Sequence, residues 1–240
     1  MTAVDELESP AGPSPSIARH LLLGRIGPAV VFGLFGWLNL RRLAATAGGL
    51  GPDPSPSALL AGPVSLGLYC AFICIPVLIY IGRPMPEKRD GRLAVRLLAL
   101  AGTTMLLIFG ALSGGGPVIL RIPGWAHEAG TAMLIAAECL AIWGLVSLRT
   151  GFSIVPEARR LTQTGPYRLV RHPLYFAEIA AALGLLLQGD PAAWTLLALA
   201  SFVAVQYGRT VLEERLLRSA LPSYDDYAKR TPRRLVPFLY

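Results

Sequence analysis

Six apolar runs, at residues 26–40, 58–81, 95–112, 128–148, 173–188 and 191–208, constrain this chain more than anything else in it. Each is about 15 to 24 residues long, close to what a helix needs to cross ~30 Å of hydrocarbon. A soluble helical core would carry polar faces at helical spacing, and most of these runs lack them. Only 15% of the 240 residues are charged while 53% are hydrophobic, well short of the quarter charged that soluble domains carry. The fold expected is all-α, a polytopic integral membrane protein with about six membrane helices and a C-terminal cytosolic cap.

The net charge of +7 is less informative than where the charges fall. Arg19 and Arg25 precede the first run. Arg83, Lys88, Arg89, Arg92 and Arg96 surround the junction after the second. Arg149, Arg159, Arg160, Arg168 and Arg171 follow the fourth, and seven more basic residues begin at Arg209. The other side carries only Arg41, Arg42 and Arg121, a division of 19 against 3 of the 22 Lys and Arg. The bias toward one side places both termini and the loops at 82–96 and 149–172 in the cytoplasm. It also accounts for the basic balance without nucleic acid, for which there is no basic-aromatic stripe or recognition motif. Cys70, Cys74 and Cys139 lie inside apolar runs without ligand spacing, so packing rather than metal or redox chemistry is expected of them.

Residues 1–20, with Asp5, Glu6, Glu8 and three prolines, read as a disordered tail rather than a signal peptide. Residues 21–125 read as membrane scaffold and 126–240 as the functional core. Pro76 is expected to kink the second run. Glu138 falls near mid-bilayer, where a carboxyl demands a partner or a proton. Gln188-Gly189-Asp190-Pro191 makes a tight helical hairpin of the last two runs, with Pro191 in the first turn of the returning helix.

The chemistry concentrates in two polar clusters flanking that hairpin. In Gly165-Pro166-Tyr167-Arg168-Leu169-Val170-Arg171-His172-Pro173-Leu174-Tyr175, a turn, two permanent cations, a histidine and two tyrosines meet the start of an apolar helix. Hydrocarbon penalises such groups, so their gathering at a membrane boundary points to a ligand or a catalytic task. The second cluster is Arg209 to Arg215, in which Arg209 and Glu213 share one helical face while Glu214 turns partly away. The plain alternative is an ion pair on a solvated helix. A ligand with an anionic end, a cationic centre and a ribose would suit the set, and S-adenosylmethionine has all three.

These motifs, with Glu213-Glu214 and Tyr224-Asp225-Asp226-Tyr227, resemble the isoprenylcysteine carboxyl methyltransferase family, to which the membrane phospholipid methyltransferases are related. The likeness covers about residues 145–240. It implies a membrane enzyme that uses S-adenosylmethionine without a Rossmann domain, in keeping with the absence of G-x-G-x-x-G. It further implies cofactor contacts from Tyr167, His172, Pro173, Leu174, Tyr175, Glu213 and Glu214. Arg159, Arg160, Leu161 and Thr162 would form another wall, although the family often has histidine where this chain has Arg159. Arg209 would hold the carboxylate being methylated, with His172 the other catalytic candidate. A carboxylate nucleophile is already ionised, whereas an amine must first lose a proton, to His172 or Glu178. The expected partners are membrane lipids and a lipophilic or lipidated acceptor. The expected location is a bacterial inner membrane with the site facing the cytoplasm. Phospholipid, amine or thiol methylation is the alternative chemistry, and a small transporter the non-enzymatic one.

Overall fold

The computed structural model describes residues 22–82, 88–89, 92–112, 117–154, 157–158 and 161–236. The expectations placed on the first 20 residues, on most of the loops after the second and third runs, and on Arg159 and Arg160 lie outside the described residues.

The protein is helical. A π turn at Leu22–Ile26 leads into α1, Gly27–Gly48. Ser55 then caps the next helix by accepting from the Ala58 N–H at 3.2 Å, with Pro56 at the first helical position, where its missing N–H costs nothing. This helix, α2, runs Pro56–Gly82 and stays helical through Pro76. A π turn at Leu60–Val64 contains Pro63, which has no N–H for the regular ladder. α3 is Leu93–Leu112, α4 Gly124–Leu148, α5 Pro173–Leu187, α6 Ala193–Ala220 and α7 Tyr224–Arg230. Lys88–Arg89 and Glu157–Ala158 form a two-residue antiparallel pair, β1 and β2. Three helices, Pro56–Gly82, Gly124–Gly151 and Ala193–Ala220, are long and apolar enough to cross a membrane. α5 and the described part of α3 are apolar but shorter.

Small residues decide which helices meet. The buried positions of α4 include Ala126, Gly130, Leu134, Ala137, Ala141 and Gly144, which recur at three and four residues and so form one stripe. α5 meets that stripe with Ala177, Ala182 and Gly184, and the two backbones touch. A Cβ on Gly130 would lie 2.8 Å from the Gly184 carbonyl oxygen, and one on Gly184 would lie 2.8 Å from that of Gly130. Close backbone approach through small residues is how helices gain contact in lipid, where no hydrophobic effect drives them together. α5 therefore packs chiefly on α4. α3 packs on α6, and α2 on both α1 and α4.

One expectation changes in this setting. Pro191 lies before α6 rather than in its first turn, because residues 188–192 are tied to the strand-like segment after α3. The Asp190 carboxylate accepts from Ile122 N–H at 2.7 Å, the Pro191 carbonyl accepts from Ile119 N–H at 3.1 Å, and Val118 bridges Ala192. Glu138 lies on the buried face of α4, 7% exposed, and its Oε2 has no hydrogen-bond partner among the described residues.

Candidate active site

α6 is apolar in its first turns, yet Thr195, Gln206, Arg209, Thr210 and Glu214 are all buried along it. A polar stripe turned inward on a membrane-length helix must be satisfied by its neighbours. Arg209, 5% exposed, is held on several sides. Its Nη1 donates to Gln206 Oε1 at 2.9 Å and lies 3.7 Å from the Glu178 carboxylate. Its Nη2 reaches the Ile154 carbonyl at 3.5 Å, and its guanidinium sits 4.8 Å from the centre of the Tyr175 ring. Gln206 in turn donates to Glu178. α3 passes so close that a Cβ on Gly102 would meet Arg209 Cδ at 2.7 Å.

One turn further along α6, the adjacent acids part company. Glu213 faces the cavity, accepts from the Tyr175 hydroxyl at 2.7 Å and lies 4.0 Å from His172 Nδ1. Glu214, 1% exposed, points the other way into a shell of donors. Arg171 Nε bonds it at 2.8 Å, Arg234 at 3.1 and 3.0 Å, and His172 Nε2 lies 3.2 Å away, with Arg218 at 3.3 Å. The C-terminal segment closes this shell. Arg171 and His172 donate their N–H groups to the carbonyls of Arg233 and Arg234, and the Arg171 side chain donates to those of Thr231 and Pro232.

The loop before α5 turns at Gly165, whose φ of +61° falls where side chains other than glycine are strained. A Cβ there would also run into the Ser147 hydroxyl. Pro173 opens α5. Tyr227 donates to the Tyr167 carbonyl at 2.8 Å, anchoring this loop to α7. Burial pushes the Tyr167, Tyr224 and Tyr227 phenols above their ordinary value, so all three are neutral hydroxyls at physiological pH.

The structure gathers most of the residues singled out from the sequence around one cavity. Leu161, Thr162, Tyr167, His172, Leu174, Tyr175, Arg209 and Glu213 line it, and so does Glu178. Two of the expected contacts lie elsewhere. Pro173 is buried in the first turn of α5, and Glu214 is absorbed by its cations, so neither is on the cavity wall. Arg168 is exposed, and Arg171, though on the wall, is already committed to Glu214. The charged partner of Arg209 among the described contacts is Glu178 on α5, not the i,i+4 Glu213 of the plain alternative.

A third wall was not legible. Gly151, Phe152, Ser153 and Glu157 come from the segment after α4, beside Leu148 at the end of that helix. Arg149 turns the chain there with φ +50°, Tyr80 accepts from the Ile154 N–H at 3.0 Å, and the Phe152 ring packs edge-on against Tyr80 at 6.0 Å. The signal is a distant one: an α2 tyrosine, Tyr80, 1% exposed, shapes a loop more than seventy residues away.

Residues 125–223 match the model of the phospholipid methyltransferase family. Among curated proteins, the chain is 38% identical over 72 residues to the cobalt-zinc-cadmium resistance protein CzcN of Cupriavidus metallidurans, covering 30% of this chain and 33% of that one. It is 32% identical over 76 residues to the nickel-cobalt-cadmium resistance protein NccN of Alcaligenes xylosoxydans xylosoxydans, covering 32% and 36%. The matched stretch thus spans about a third of the length of each relative. The match to the phospholipid methyltransferase model thus falls on the stretch that carries α5, most of α4 and α6, and the His172–Glu213 side of the cavity.

Proposed function

We propose that this cavity binds S-adenosylmethionine and that the protein transfers the methyl group to a lipophilic acceptor. The observation that carries the reading is the meeting of His172, Tyr175, Arg209 and Glu213 on one wall, although a whole helical hairpin separates them in sequence. The residues fit the cofactor. Glu213 is a half-buried acceptor suited to ribose hydroxyls, and tyrosine faces suit a sulfonium cation. Tyr167, His172, Leu174, Tyr175, Leu161, Thr162 and Glu213 would hold it. When bound, the cofactor supplies an electrophilic methyl group. The protein's own work is alignment of the acceptor and exclusion of water, worth several kcal/mol when the geometry is near attack.

Arg209 makes a carboxylate the first choice of acceptor, as in isoprenylcysteine carboxyl methylation. The anion would take the guanidinium from Glu178. A second reading, an amine of a phospholipid or small lipid, is favoured by Glu178 itself, which lines the cavity beside Arg209 and can accept a proton. The division of basic residues supports six embedded helices, with the site and the C-terminal cap at the cytoplasmic face of a bacterial inner membrane.

Calorimetry with S-adenosylhomocysteine on detergent-purified protein tests the cofactor, with micromolar binding expected. An absence of heat at about millimolar ligand, some 4 kcal/mol of affinity, overturns the reading. Arg209→Ala tests the acceptor. For a carboxylate, methyl transfer to a prenylated cysteine should fall about 100-fold while cofactor affinity holds. Unchanged transfer to phosphatidylethanolamine would select the amine.

A further inference from the structure

Four tyrosines line the cavity, and their hydroxyls are not in the same situation. Tyr175 donates to Glu213 at 2.7 Å, and Tyr227 donates to the Tyr167 carbonyl at 2.8 Å. Tyr224 is 1% exposed, and its hydroxyl is sealed from solvent with no hydrogen-bond partner among the described residues. Its known contacts involve the ring. Tyr227 packs edge-on at 5.9 Å and 72°, and the Arg218 guanidinium stands 5.5 Å from the ring centre. A hydroxyl closed off in this way forfeits the bond that water would have given it, and native structures leave few such groups unexplained. The surrounding shell makes the omission stand out, because Arg171, His172, Glu214 and Tyr227 all have partners.

We propose that the Tyr224 hydroxyl is a further ligand-binding group of this site, completed by a hydrogen bond from the nucleoside end of the S-adenosyl ligand. The inference rests on the cofactor reading above. The nucleoside end is chosen on chemistry. A neutral phenol can donate to purine ring nitrogens and can both donate to and accept from ribose hydroxyls. A carboxylate end is better met by the arginines. Tyr224 also lies just past the 125–223 stretch that matches the family.

The test compares wild type with Tyr224→Phe, which keeps the ring and removes only the oxygen. S-adenosylhomocysteine and adenosine are each titrated by calorimetry, and thermal unfolding is followed without ligand. The expected result is affinity for both ligands lowered about three- to tenfold, the loss of one neutral hydrogen bond. The unliganded midpoint should hold or rise, because the lost group had no partner to lose. Tyr227→Phe supplies the contrast, since its hydroxyl holds the Tyr167 carbonyl and its unliganded midpoint should fall. Unchanged affinity in Tyr224→Phe, or a lowered unliganded midpoint, overturns the proposal. Loss confined to S-adenosylhomocysteine, with adenosine unaffected, overturns its assignment to the nucleoside end. Failure of wild type to bind S-adenosylhomocysteine is a different result, and it overturns the cofactor reading itself.

Discussion

Replacing Glu214 with alanine is expected to destabilise the protein by about 3–5 kcal/mol, the cost of breaking a buried charge cluster from one side. The substitution leaves Arg171, whose side chain is 9% exposed, without its carboxylate, and takes from His172 its partner at Nε2. Arg218 and Arg234 are partly exposed and lose less, because water takes over part of the carboxylate's role. The segment at 231–234 is held to the loop at Arg171 partly through this acid, so it should loosen with it. Thermal unfolding in detergent, together with protease sensitivity near the C-terminus, measures both effects. The neighbouring acid gives the contrast. Glu213→Gln retains a carbonyl for the Tyr175 hydroxyl, so stability should change by under ~1 kcal/mol, while the proposed cofactor affinity falls. If the two variants behave alike in stability, the division of labour between the adjacent acids is wrong.

Gly184→Val is expected to cost about 1–3 kcal/mol through overpacking and to weaken the site from a distance. The new Cβ would lie 2.8 Å from the Gly130 carbonyl oxygen and 3.0 Å from Leu134 N, both backbone atoms that cannot rotate aside. The helices must therefore separate. α4 carries Leu148 and α5 carries Leu174, Tyr175 and Glu178, so parting them displaces opposite walls of one cavity. Gly130→Val should do the same, and the double variant should cost less than the sum, because the first substitution has already opened the contact. Thermal midpoints of the three proteins close that cycle. Full additivity would show that the two glycines do not share a contact.

Much of the fold could be read beforehand because hydropathy is local. The runs at 58–81, 128–148 and 173–188 became Pro56–Gly82, Gly124–Leu148 and Pro173–Leu187, since a stretch without polar side chains has little choice but a helix in hydrocarbon. The sixth run was read to 208, but its helix continues to Ala220, because beyond the apolar part the helix is carried by packing and ion pairs. The hairpin was legible from Gly189 and Pro191, yet its tightest neighbour was not. α5 leans on α4 through Gly130 and Gly184, residues that announce nothing until they face each other.

The site divides the same way. His172, Tyr175, Arg209 and Glu213 stood out because charged and polar groups at the ends of apolar helices are costly without a purpose. Phe152, Ser153 and Glu157 carried no such cost and no motif, and Tyr80 and Arg209 bring them to the cavity through Ile154.

The amino-acid sequence by itself determined that this is a helical, membrane-length protein with two polar clusters flanking one hairpin, because composition and spacing act within a few turns of chain. Only the tertiary structure decided that Glu213 meets the cavity while Glu214 is locked among arginines, and that Arg209 answers to Glu178. Neighbouring residues on a helix differ by about 100° in direction, and the rotation of α6 about its axis is set by what packs against it.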